Sequence, residues 1–164
     1  MEDPGSQNML WQALLLFILT LLNAFFSAAE MAMVSLNRAR VEQKAEEGDL
    51  KYIRLLAVLE SPNNFLSTIQ VGITVINILS GASFADNLGK LFSSWMGNSE
   101  TARAIGTFLA LVLLTYISIV FGELYPKRIA LNLKDALAIR TVPFIIALDK
   151  IVSPFVWMLS ASTN

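Results

Sequence analysis

Three apolar stretches, residues 9–36, 64–84 and 102–121 with a continuation to 133, decide most of what this chain can become. At a helical rise of about 1.5 Å per residue, each can cross a hydrocarbon core of about 30 Å. Backbone groups in lipid must be satisfied within the protein, so apolar runs of this length become helices. With 55 % hydrophobic and only 15 % charged residues in 164, the chain is too apolar for an ordinary soluble domain of its size. Its start carries Glu2 and Asp3 but no basic residue, and the run that follows is long for a signal peptide, so it reads as a retained transmembrane helix.

Charge gives the expected orientation. Arg38, Arg40, Lys44, Lys51 and Arg54 lie between the first two stretches, and Lys127, Arg128, Lys134 and Arg140 follow the break in the third. Only Lys90 and Arg103 lie between the second and third, and none precedes the first, so the positive-inside rule predicts an outer N-terminus and a cytosolic C-terminus. The expectation is an all-α, multi-pass protein of a cell membrane, bacterial inner or plasma membrane. It has an extracellular tail (1–8), transmembrane helices at 9–36, 62–84 and 102–133, a cytosolic helical pair (37–61) and an extracellular loop (85–101). In the pair, Gly48 stops one helix and Asp49 caps the next, and Ser61-Pro62-Asn63-Asn64 breaks the chain before the second span. Its charges read as a solvated face. The last apolar segment, 141–162, is interrupted by Pro143, Asp149, Lys150 and Pro154. A full crossing would put a charged pair near mid-membrane, so an in-plane (juxtamembrane) or re-entrant helix is expected.

Without Cys or His, any metal site must be built from oxygen, which favours magnesium, calcium or sodium. Each span carries a polar stripe at helical spacing: Thr20, Asn23, Ser27 and Glu30; Ser67, Gln70, Thr74, Asn77 and Gly81; Thr115, Ser118 and Gly122. Such stripes should face one another, either as interhelical hydrogen bonds or around an ion. In Gly122-Glu123-Leu124-Tyr125-Pro126-Lys127, Pro126 lacks an N–H and clashes with the carbonyl four residues back, which predicts a helix break that frees the Gly122 carbonyl beside Glu123. Ser27, Asn77 and Glu123 each lie about 16 to 20 Å along the helix from its cytosolic end, at one depth. Ser27, Asn77, Gly122 and Glu123 are therefore the candidate metal ligands, with oxygens that suit octahedral Mg2+ and that sodium can also use. Asn23, Glu30, Thr74 and Ser80 form a second tier along the ion pathway. Alternatives stay open: Glu123 can pair with Lys127 at the i,i+4 spacing, Asn77 can be interhelical glue, and Glu30 can bond backbone or hydroxyl groups. No paired acids at matching depth are expected on facing helices, and without His or Cys an enzyme is not expected.

Phe25-Phe26-Ser27-Ala28-Ala29-Glu30, Ser61-Pro62-Asn63-Asn64-Phe65-Leu66-Ser67-Thr68-Ile69-Gln70-Val71-Gly72-Ile73-Thr74 and Gly122-Glu123-Leu124-Tyr125-Pro126-Lys127 stand in this order. Together they resemble the transmembrane domain of the CNNM/CorC magnesium transporters, whose bacterial members often carry haemolysin-like labels. The similarity runs from about residue 9 to 162. It implies a homodimer in the lipid bilayer, magnesium efflux by alternating access exchanged against sodium, and ion ligands at Ser27, Asn77, Gly122 and Glu123. No nucleic-acid partner is implied. Family members usually continue into cytosolic CBS modules that bind ATP; these are absent here, so the chain is expected to be a transmembrane portion. An ion-stabilised membrane sensor or assembly module without net transport is the alternative function.

Overall fold

The computed structural model of the chain describes residues 4–97 and 99–163. Among these residues the regular structure is helical throughout: α1 (Pro4–Val34), α2 (Arg38–Glu46), α3 (Leu50–Leu59), α4 (Pro62–Trp95), α5 (Glu100–Ile119), a π-helical segment (Val120–Leu124), α6 (Tyr125–Asn132) and α7 (Lys134–Thr163). Three helical stretches are long and apolar enough to cross a membrane: Leu10–Val34, Pro62–Phe84 and Glu100–Asn132. The protein is an all-α membrane protein, as its apolar runs predict.

The short helices form where their capping residues dictate. Asn37 Oδ1 accepts from the Arg40 N–H to start α2, and Asp49 Oδ1 accepts from the Lys51 N–H to start α3. Between them Gly48 takes φ +86°, a left-handed turn that suits glycine. The hairpin buries Val41, Tyr52 and Leu55 and leaves charged groups such as the Arg38–Glu42 pair in solvent.

α1 contributes Phe26, Ala29, Ala32 and Met33 to a single buried cluster, joined by Leu55 of α3, Phe65 and Ile69 of α4, and Ala138, Val142 and Ile145 of α7. The outer faces show large apolar side chains such as Ile78, Phe108 and Val112, the surface a lipid-embedded helix presents.

Several boundaries differ from expectation. α1 starts at Pro4, so residues 4–8 of the expected tail are helical; residues 1–3 lie outside the described residues. α4 continues past Phe84 to Trp95, turning most of the expected 85–101 loop into helix; Asn98 of that loop lies outside the described residues. The extension contains no proline, and its one glycine, Gly89, serves packing. A Cβ on Gly89 would lie 2.8 Å from Thr107 Cα, and one on Gly106 would lie 2.6 Å from the Gly89 carbonyl oxygen. α4 and α5 thus cross antiparallel with their backbones close. Ser99 then caps α5, its Oγ accepting from the Ala102 N–H at 3.1 Å.

α7 is continuous from Lys134, earlier than the expected start at 141, and holds Pro143 and Pro154 within it. Both prolines lie on exposed positions. The helix packs on α1, α3 and α4 and is fastened near its start and at its middle. Near its start Lys134 Nζ donates to the Ser35 carbonyl at 3.0 Å, and Asp135 pairs with Arg40 at 3.0 Å. Further on, Asp149 Oδ1 accepts from the fully buried Thr68 hydroxyl at 2.7 Å. That bond supplies a polar partner for the acid that interrupts the apolar segment.

Candidate ion site

α1 and the α5–π–α6 rod run side by side in the same direction, Asn23 lying against Gly122 and Glu30 against Lys127. The rod does not break at Pro126. It widens into the π-helical segment and resumes as α6 with Pro126 in the first turn. The Tyr125 N–H donates to the Val120 carbonyl five residues back, the bond of a π turn. Pro126 has no N–H for Gly122 in α register or for Phe121 in π register. The expected break is therefore a change of register, and a wide turn absorbs the missing donor while the helix stays wound.

At this turn Gly122 is buried, and a Cβ there would sit 2.5 Å from Asn23 Nδ2. Only glycine admits the amide so close. Asn23 is 2 % exposed and Ser27 0 %. Asn23 Oδ1 and Ser27 Oγ, about one helical turn apart, have no hydrogen-bond partner among the described residues. Buried oxygens are seldom left this way, because a polar atom without a partner costs roughly 1 to 3 kcal/mol.

Asn23 also lines a cavity of about 270 Å³ together with Asn77, Ser80, Thr115, Ser118 and Glu123. Asn77 Oδ1 accepts from Ser118 Oγ at 3.0 Å, so α4 and α5 are joined across it. That amide oxygen has a second lone pair, and glue and ligand are not exclusive roles. Three helices thus bring Asn23, Asn77, Ser80 and Glu123 to one space. Ser27, about one helical turn beyond Asn23, and Gly122, against Asn23, are buried but are not among its lining residues. Thr74 is elsewhere: it is exposed, and its hydroxyl donates to the Gln70 carbonyl at 2.8 Å.

Glu123 faces two ways. It lines the cavity, and its Oε1 accepts from Lys127 Nζ at 2.8 Å. The same ammonium lies 3.1 Å from Glu30 Oε2. The Glu123–Lys127 pairing that the i,i+4 spacing left open is therefore present. Two acids on facing helices do converge, contrary to the expectation of none, and Glu30 binds an ammonium rather than backbone or hydroxyl groups. Lys127, in the turn that follows the π-helical segment, stands between the two acids. Among the described residues no three His, Cys, Asp or Glu gather as a metal cluster. A cation in the cavity would accordingly rely on amide, hydroxyl and carbonyl oxygens around one acid, the donor set of a hard ion.

Sequence reasoning underweighted Lys127 and Ser118, although the i,i+4 spacing from Glu123 and the stripe on the third span pointed to them. It missed the Thr68–Asp149 bond; the signal was an acid interrupting an apolar segment, which needs a donor.

The transmembrane N-terminal domain of the cyclin M proteins (CNNM) matches residues 14–164. UPF0053 protein sll0260 of Synechocystis sp. is 35 % identical over 153 residues, 91 % of this chain and 34 % of that protein. UPF0053 protein YrkA of Bacillus subtilis is 30 % identical over 151 residues, 90 % of this chain and 35 % of that one. UPF0053 inner membrane protein YfjD of Escherichia coli is 30 % identical over 144 residues, 87 % and 31 % respectively. The chain spans about a third of the length of these relatives. The match covers the span bearing Asn23 and Ser27, the hairpin, the π-helical turn and α7, and on that basis the chain belongs to the CNNM/CorC family, of which it carries the transmembrane domain.

Proposed function

We propose that this domain moves Mg2+ across the membrane by alternating access, with a mid-membrane site made by Ser27, Asn77, Gly122 and Glu123 and extended by Asn23. The observation that carries the reading is the pair of buried, unpartnered oxygens, Asn23 Oδ1 and Ser27 Oγ, beside the Gly122 turn and the Glu123 cavity. Oxygens of neutral groups around one carboxylate suit a small hard cation that keeps part of its water. A wound helix with a displaced register offers such a site without a fully unwound segment.

The same reading places the N-terminus outside and the C-terminus in the cytosol, from the basic residues of the hairpin and of the α6–α7 region. A bacterial inner or plasma membrane is the proposed location, and YfjD is named an inner membrane protein. Sodium as the exchanged ion, direction of efflux, a homodimer through the transmembrane helices and regulation by ATP on CBS modules belong to this proposal through the family. It includes no catalytic role.

Magnesium flux into liposomes holding the full chain tests the reading. Glu123→Gln is expected to reduce flux and Mg2+-dependent thermal stabilisation by at least roughly tenfold. Flux unchanged by the substitution removes Glu123 as a ligand. Magnesium stabilisation of the wild type without any flux favours the sensor or assembly module instead.

A further inference from the structure

We propose that Lys127 is a tethered competitor for the ion at Glu123, and that Glu30 is the partner to which its ammonium withdraws when a cation binds. The inference rests on the Glu123 ion site proposed above and concerns its regulation.

The geometry is a three-membered bridge. Lys127 Nζ stands 2.8 Å from Glu123 Oε1 on its own rod and 3.1 Å from Glu30 Oε2 on α1. The side chains are 28 %, 42 % and 23 % exposed for Lys127, Glu123 and Glu30, so the bridge is shielded but not sealed. Lysine ends in a compact ammonium with three donors on a flexible stem, which can shift between neighbouring acids without a change of backbone. Of the two acids, only Glu123 lines the cavity.

A divalent cation and an ammonium on the same carboxylate repel one another, and the partly buried setting screens that repulsion poorly. Full engagement of Glu123 by a cation therefore requires the ammonium to move off it. Glu30 gives it somewhere to go: the ammonium already touches that carboxylate and stays paired after the move. The bridge carries two acids and one base, so it holds one negative charge before the ion arrives. Without Glu30, a free Lys127 would be left beside an incoming cation. Without Lys127, Glu123 would hold the cation with no competitor and release it slowly. The competitor thus weakens binding and speeds release, as a carrier needs and a structural metal site does not.

A plain structural role for the bridge predicts that breaking it from either side harms the site in the same direction. Competition predicts opposite directions. With MgCl2 as the probe, apparent affinity is read from the thermal shift of the purified full chain in detergent, and flux is followed in liposomes. Lys127→Met is expected to tighten Mg2+ binding roughly tenfold while slowing flux, and Glu30→Gln to weaken binding roughly tenfold by pinning the ammonium on Glu123. The double variant should bind as tightly as Lys127→Met, because Glu30 acts only through the ammonium it receives. Lys127→Arg keeps the charge but replaces the compact ammonium by a planar fork, so it should still bind Mg2+ more weakly than Lys127→Met. Should Lys127→Met not fold, Lys127→Gln and the weakening by Glu30→Gln carry the same test. Binding that weakens in both single variants, or that Lys127→Met and Lys127→Gln leave unchanged while Glu123→Gln abolishes it, overturns the competition and leaves the ion site standing. A wild-type response that survives Glu123→Gln overturns the site itself and the competition with it.

Discussion

Gly106 and Gly122 lie on one helical rod, and the chain uses them in opposite ways. At Gly106 a side chain would strike backbone: a Cβ would come 2.6 Å from the Gly89 carbonyl oxygen and 3.0 Å from the Ser93 nitrogen. At Gly122 it would strike the end of a side chain, the Asn23 amide at 2.5 Å. The first contact lets two helices approach; the second lets a polar group approach, and that group keeps an unpartnered oxygen. Glycine at a membrane helix crossing therefore identifies close packing only. What separates a packing crossing from a candidate site is the polar chemistry on the opposite face.

The largest effect is expected from Gly106→Leu. Neither the Gly89 carbonyl nor the Ser93 backbone can yield without moving α4, and overpacking of a closely fitted contact costs about 1 to 3 kcal/mol, more for a bulky group against backbone. Thermal unfolding in detergent should show a loss at the upper end of that range, while the folded fraction keeps its Mg2+ response. A variant as stable as wild type would mean that the α4–α5 crossing is looser than its distances indicate.

Gly122→Ala should behave in the inverse manner. The obstacle is a rotatable amide, and alanine is favoured over glycine within a helix by about 1 kcal/mol, so stability should change by less than about 1 kcal/mol. The Asn23 oxygen, however, is pushed from its place, and Mg2+-dependent stabilisation should fall several-fold in a titration. A large stability loss with an unchanged Mg2+ response would erase the distinction between the two glycines.

These contacts also show where sequence was enough. The spans followed from apolar length, because lipid allows little besides a helix. The hairpin followed from Asn37, Gly48 and Asp49, whose capping chemistry is local. The stripe positions of Asn23, Asn77, Thr115 and Ser118 anticipated a shared cavity, since helical periodicity survives folding. The reach of α4 to Trp95 was not legible, because Gly89 there serves a crossing with residues on another helix. Nor was the ionic bridge, for Pro126 announced a disturbance without saying which way the rod would turn. A π turn and an unwound break begin from the same missing N–H, and they send Lys127 to different places.

The Thr68–Asp149 bond is a third kind of contact, polar like the Gly122 region but satisfied, and it should give the smallest effect. Thr68 is fully buried, and its hydroxyl donates to Asp149 Oδ1 at 2.7 Å, tying α7 to α4. Polar bonds between membrane helices contribute on average about 0.6 kcal/mol, with a maximum of roughly 1.7, because alternative partners exist in the unfolded reference state. Thr68→Val should therefore cost about 1 kcal/mol in thermal stability. Combination with Asp149→Ala should add little, since either change removes the same bond. If polarity alone marked function, Thr68→Val would disturb the Mg2+ response as much as Gly122→Ala does. If the unpartnered oxygen is the relevant signal, the Mg2+ titration midpoint should stay at its wild-type value, because this hydroxyl already has its acceptor.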